Sequence, residues 1–82
     1  MEYHIYFENS FGKETFLDTI ITEENVDMEK SILKCLERID KFLKSKNYKS
    51  YYQRWWFEED KNKIIIDVGS HSEFFNIYYN KI

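Results

Sequence analysis

The chain has 82 residues, a net charge of -3, a single cysteine and an aromatic share of 20%. A second hydrophobic core does not fit in this length, so residues 1–82 are expected to form one globular domain. One cysteine excludes an internal disulfide, the mild acidity weighs against a sequence-independent nucleic-acid binder, and no apolar run approaches the roughly 20 residues of a membrane span.

The N-terminus, MEYHIYFEN, has neither the basic start nor the apolar core of a secretion signal, which predicts a cytoplasmic protein. Alanine and proline are absent, while Lys, Ile, Asn and Tyr abound. That composition suggests a low-GC genome, such as that of a phage or another mobile element.

Residues 2–8 alternate, with Tyr3, Ile5 and Phe7 on one side and His4 and Tyr6 on the other, the pattern of a half-buried strand. A turn follows at 8–13, where Gly12 is free to take positive φ. Residues 14–21 are rich in Thr, Phe and Ile and predict a second strand hairpinned to the first. Their alternation is less clean, because strict period two puts Phe16 and Ile20 on one side with Asp18.

From Val26 to about Lys46, Met28, Ile32, Cys35, Leu36, Ile39, Phe42 and Leu43 recur at steps of three and four, one apolar stripe of a helix. Thr22 or Asn25 is the expected N-cap, and Asn47 the expected left-handed terminus. A helix of this length reaches diagonally across a four- or five-stranded sheet. Cys35 lies on the stripe and reads as an inert buried thiol.

Three strands follow in quick succession, at about 50–58, 63–68 and 74–79, separated by the turns 59–62 and 69–72. Short turns between β runs make an antiparallel meander. The predicted order is β-β-α-β-β-β: an α+β two-layer sandwich with one long helix on an antiparallel sheet of four to five strands.

Both tryptophans lie in Tyr51-Tyr52-Gln53-Arg54-Trp55-Trp56-Phe57. Neighbouring residues of a strand face opposite sides, so Trp55 and Trp56 do not share one core. The most apolar parity of each strand (Tyr3, Ile5, Phe7; Trp55, Phe57; Ile64, Ile66, Val68; Phe75, Ile77, Tyr79) is expected beneath the helix. The opposite parity holds His4, Tyr6, Tyr52, Arg54, Trp56, Ile65, Asp67, Phe74, Asn76 and Tyr78. Large aromatics and an arginine on the uncovered side of a sheet are the residue types of binding hot spots. Two structural readings compete with a contact surface there. The N-terminal hairpin could fold over this face as a second core, or cross-strand aromatic ladders could stabilise it alone.

The chain has no glycine-rich phosphate loop, GxSxG or HExxH, and its two histidines and one cysteine are scattered over three predicted elements. No enzyme, metal or cofactor is expected. Glu58-Glu59-Asp60 reads as a solvated turn, His71 as a solvent-facing turn residue, and Asp67 as a partner for Arg54 across the sheet. The expected function is a small non-enzymatic protein-binding module of the inhibitor, immunity or phage counter-defence type, which occludes another protein. Its expected contact residues are Tyr6, Tyr52, Arg54, Trp56, Glu58, Phe74 and Tyr78. The alternatives are single-stranded nucleic-acid binding through sheet aromatics, or a homodimer using the same face. No membrane partner is expected.

Overall fold

The computed structural model describes residues 1–23, 27–46, 54–69 and 73–80. The elements are β1 (Glu2–Glu8), β2 (Glu14–Ile21), α1 (Met28–Ser45), β3 (Arg54–Glu58), a 3-10 turn at Glu59–Lys61, β4 (Lys63–Asp67) and β5 (Phe74–Asn80). They form the α+β sandwich the sequence predicts: one helix on a five-stranded sheet, every pair antiparallel, in the order β2-β1-β5-β4-β3. The first and last strands pair at the centre, so the meander β3-β4-β5 is joined to the N-terminal hairpin through β1 and β5.

The first hairpin is closed by Asn9. Its side-chain oxygen accepts from the amides of Phe11 and Lys13 at 2.9 and 3.0 Å, and its carbonyl accepts from the amide of Gly12 at 2.9 Å. Gly12 takes φ of 80°, the left-handed region where a residue without Cβ is unstrained. β2 then carries a bulge, because the register shifts between Ile5 and Tyr6: Asp18 pairs with Ile5, but Phe16 with Tyr6. The extra residue, Leu17, packs against the core. Strict alternation predicts Phe16 and Asp18 on one side; the bulge moves Phe16 to the uncovered face and leaves Asp18 toward the helix. There Arg38 Nε donates to Asp18 Oδ2 at 2.8 Å. This guanidinium, together with the amide of Thr19, holds the Asp18 carboxyl below the usual carboxylate range.

The N-cap of α1 is Asp27, whose carboxylate accepts from the amide of Glu29. Thr22, one of the two expected caps, instead extends the β1–β2 ladder: its amide donates to the carbonyl of Met1 at 3.0 Å. Its buried hydroxyl accepts from Ser31 at 3.5 Å. Asn25 and Asn47 lie outside the described residues.

The predicted stripe is the one that packs. Ile32, Cys35, Ile39 and Leu43 are buried, with Met28, Leu36 and Phe42 half-buried beside them. They meet Tyr3 and Ile5 of β1, Ile64 and Ile66 of β4, Val68, and Phe75, Ile77 and Tyr79 of β5. The Phe42 ring fits between Phe7 and Phe75, with centroids at 5.6 and 5.8 Å. Cys35 is fully buried, and that burial pushes its thiol pKa up to about 12.

One expectation about this core is corrected. Trp55 and Phe57 do have core parity, since they pair with the buried Ile66 and Ile64. They are nevertheless 39% and 38% exposed. Five strands at about 4.8 Å spacing put the outer strands about 19 Å apart, whereas a helix with its side chains is about 10–12 Å wide. The Arg38–Asp18 pair fastens α1 toward the β2 edge. β3 is thereby left beyond its cover.

Candidate functional site: the uncovered sheet face and the β3 edge

The face opposite α1 is built by cross-strand pairing. β5 sets Tyr78 beside His4 and Lys63, Asn76 beside Tyr6 and Ile65, and Phe74 beside Glu8 and Asp67. β3 adds Arg54 opposite Asp67, Trp56 opposite Ile65 and Glu58 opposite Lys63. The N-terminal hairpin does not fold across this surface; β2 extends the sheet and brings Phe16 to it.

Six of the seven expected contact residues therefore share one face: Tyr6, Arg54, Trp56, Glu58, Phe74 and Tyr78. Tyr52 lies outside the described residues, as does His71.

The aromatics form two groups rather than one patch. In the first, the Tyr6 ring stands edge-on to both Phe16 and Tyr78, each centroid at 5.5 Å, and Lys63 Nζ lies 5.6 Å over the Tyr78 ring. In the second, Trp56 meets Phe74 edge-on at 6.5 Å, and the Arg54 guanidinium lies 5.4 Å over the Trp56 ring. Such cation–ring pairs hold the long basic side chains flat on the surface. Between the groups is a shallow cavity of about 150 Å³, lined by Glu8, Trp56, Lys63, Ile65, Phe74 and Asn76.

A polar network fixes these side chains. Asn76 is only 1% exposed despite lying on the uncovered face, and its Nδ2 donates to Glu8 Oε1 at 3.0 Å. The Tyr78 hydroxyl donates to both Glu14 carboxylate oxygens, at 2.9 and 3.0 Å. Burial of the phenol, reinforced by the Glu14 carboxylate, pushes the Tyr78 pKa up to about 12. Asp67, the expected partner of Arg54, accepts from its Nη2 at 3.0 Å and from the Gly69 amide at 2.8 Å. Glu58 lies 3.6 Å from Lys61 in the turn. His4 sits between Glu2, at 3.3 Å, and the Thr19 hydroxyl, at 3.2 Å.

Phe16 and Glu14 belong to this face but were not expected there. The broken alternation of β2 is the sole trace of the bulge that turns Phe16 over. Glu14 reaches Tyr78 across β1, a contact that the spacing in the chain does not signal.

Among the described residues, no group of three or more His, Cys, Asp and Glu is arranged to hold a metal ion, and no helix is long and apolar enough to cross a membrane. What the surface offers is ring edges, cation-covered rings and a hydrogen-bonded floor. Comparison with protein-family models, with curated proteins and with solved structures finds no match to this chain.

Proposed function

We propose that the chain is a small protein-binding module that acts by covering the surface of a partner protein, with Trp56 as the anchor of its contact face. The observation that supports this most directly is the run Trp55-Trp56-Phe57. All three rings are more than a third exposed, on both sides of one edge strand. Aromatic residues left uncovered together on a soluble domain bury large areas at low entropy cost when a partner meets them. Arg54, Lys63, Glu58 and Glu8 around Trp56 supply the polar rim that such contacts use. The net charge of -3 favours a basic partner, drawn in by complementary charge. Inhibitor and immunity proteins work in this manner, and the reading belongs with that class.

The test is affinity capture with the immobilised chain, using Trp56→Ala and Leu33→Ala in parallel; Leu33 is an exposed apolar residue of α1. The expected result is a basic partner captured by the unmodified chain and by the Leu33 variant, eluted by salt, and lost with Trp56→Ala. Capture that is equal in all three would refute the choice of face.

The pairs Arg54–Trp56 and Lys63–Tyr78 favour a second reading, single-stranded nucleic acid stacked on rings beside cations. Glu8, Glu14 and Glu58 on the same face count against it, since they repel phosphates. Retention of a labelled oligonucleotide at low salt, lost as salt is added, is the outcome that would favour this reading.

A further inference from the structure

The two edges of the sheet are built differently. β2, at one edge, is bulged and carries Glu14 and Asp18, devices that keep other strands from pairing with an open edge. β3, at the other, pairs with β4 in unbroken register from Arg54 to Glu58, and among the described residues β4 is its sole neighbour in the sheet. It has no bulge, and its two charged residues, Arg54 and Glu58, stand at its ends and are of opposite sign. In an antiparallel ladder, alternate residues of such a strand point their N–H and C=O groups outward, away from the existing partner.

The sequence of β3 is Arg-Trp-Trp-Phe-Glu. It is self-complementary when a second copy runs antiparallel to it about a two-fold axis through Trp56. Arg54 then faces the Glu58 of the other copy, Trp55 faces Phe57, and Trp56 faces Trp56. A parallel arrangement would set Arg54 against Arg54 and Glu58 against Glu58. Shifting the axis to Trp55 or to Phe57 sets a charge against a tryptophan instead. A two-fold axis through a residue also joins like faces, so both helices lie on the same side of a continuous sheet. The strips of core face that α1 leaves uncovered, Trp55 and Phe57, would then cover each other.

The charged ends are available for this. The Arg54 side chain is 61% exposed, and it engages Asp67 through Nη2. A guanidinium carries five N–H donors, so it can serve a second carboxylate. Glu58 is 33% exposed and makes one long contact, at 3.6 Å, with Lys61.

The geometry points to a homodimer formed by antiparallel pairing of β3 with β3 of a second copy, centred on Trp56, with Arg54–Glu58 pairs at both ends. Edge-strand pairing gives affinity through main-chain hydrogen bonds and register through side chains. A five-residue contact is small beside the roughly 1,200–2,000 Å² of stable interfaces, so the dimer should be weak, dissociating on the order of tens of micromolar. The inference rests on the β3 edge and not on the occluding function; a dimer is read on purified chain alone, whether or not another protein is captured.

Sedimentation across about 1–500 μM, a range that brackets the affinity expected of a small contact, tests it with two variants. Arg54→Glu sets an acid against Glu58 of the other copy, and Glu58→Arg sets a base against Arg54, so each alone should sediment as a monomer. Mixed in equal amounts they are complementary at both ends, because one chain then carries acid at both positions 54 and 58 and the other carries base at both. The mixture should sediment as a heterodimer. A structural role for either residue would not produce that rescue. An unmodified chain that stays monomeric throughout, variants that still self-associate, or a mixture that stays monomeric would each overturn the proposal. Circular dichroism checks that each variant folds. If one does not, amide exchange of the unmodified chain at low and high concentration decides. Protection within residues 54–58 that rises with concentration supports the pairing, and unchanged exchange overturns it.

Discussion

Replacing Glu8 should reveal how much the uncovered face depends on a single buried amide. Asn76 is 1% exposed, and Glu8 Oε1 accepts from its Nδ2 at 3.0 Å. A carboxylate only accepts, so it also fixes which end of the Asn76 amide faces it. Glu8→Ala leaves that donor buried without its partner, a loss of about 1–3 kcal/mol. Against this, Glu8 stands opposite Glu14 in the β1–β2 register. Removing one of two like charges returns about 0.2–1 kcal/mol. The net expectation is a destabilisation of about 1–2 kcal/mol, or a melting temperature lower by about 4–16 °C for a domain of this size. Glu8→Gln keeps an acceptor and relieves the same repulsion, so it should lie within about 0.5 kcal/mol of the parent. Adding Asn76→Val to Glu8→Ala removes both partners and should recover much of the loss. Urea unfolding followed by far-ultraviolet circular dichroism measures all four proteins. Equal stability of the Ala and Gln variants would refute the reasoning, because water entering the adjoining cavity would then be satisfying Asn76.

Two further outcomes follow from the titrating groups. Asp18→Asn should cost about 0.2–1 kcal/mol at neutral pH, the range of part-exposed ion pairs. The folded carboxyl titrates below its ordinary value of 3.8, so the contribution of Asp18 is present above that value and is lost as pH falls through the folded one. The difference between parent and variant should hold constant down to about pH 5 and vanish in stronger acid; a difference that instead grows in acid refutes the assignment. Cys35, fully buried with its thiol pKa pushed up to about 12, should react with a thiol reagent at neutral pH only through unfolding. For a stability of about 4 kcal/mol the reaction should be about a thousand-fold slower than in urea. Comparable rates in both conditions would place the thiol at the surface.

The packing stripe of the helix was legible because one periodicity governs it, although its ends were not: Met28–Ser45 is helical where Val26 to about Lys46 was expected. Ile32, Cys35, Ile39 and Leu43 return to the same side every three or four positions, and all are buried. The parity of β1, β4 and β5 was equally legible, since each strand has one plainly apolar side. β2 was not, for a physical reason. A bulge adds one residue on one strand only, so every position before it changes face relative to those after it. Phe16 and Ile20 have the same parity in the chain but lie on opposite sides of the sheet. The helix cap shows the same limit from another direction. Thr22 is chemically a good cap, but it is held beside Met1 at the end of the β1–β2 ladder with its hydroxyl accepting from Ser31, and Asp27, directly before the helix, takes the role.

The site was legible as a set of residue types and not as a layout, because pairing order decides which strands touch. Nothing local tells the chain that β1 and β5 are neighbours, yet that pairing sets Tyr6 against Tyr78 and Asn76 within reach of Glu8. The same order explains why correct parity misjudged the burial of Trp55 and Phe57. Parity assigns a residue to a face; burial also requires that something lie over that strand. A single helix tied by Arg38 to Asp18 buries the core faces of β1, β5 and β4 and leaves those of the edge strands part-exposed, β3 being the strand farthest from that tie. An aromatic strand at the centre of this sheet would have been core on one side only. At the edge it is exposed on both sides, with Trp55, Trp56 and Phe57 each more than a third uncovered.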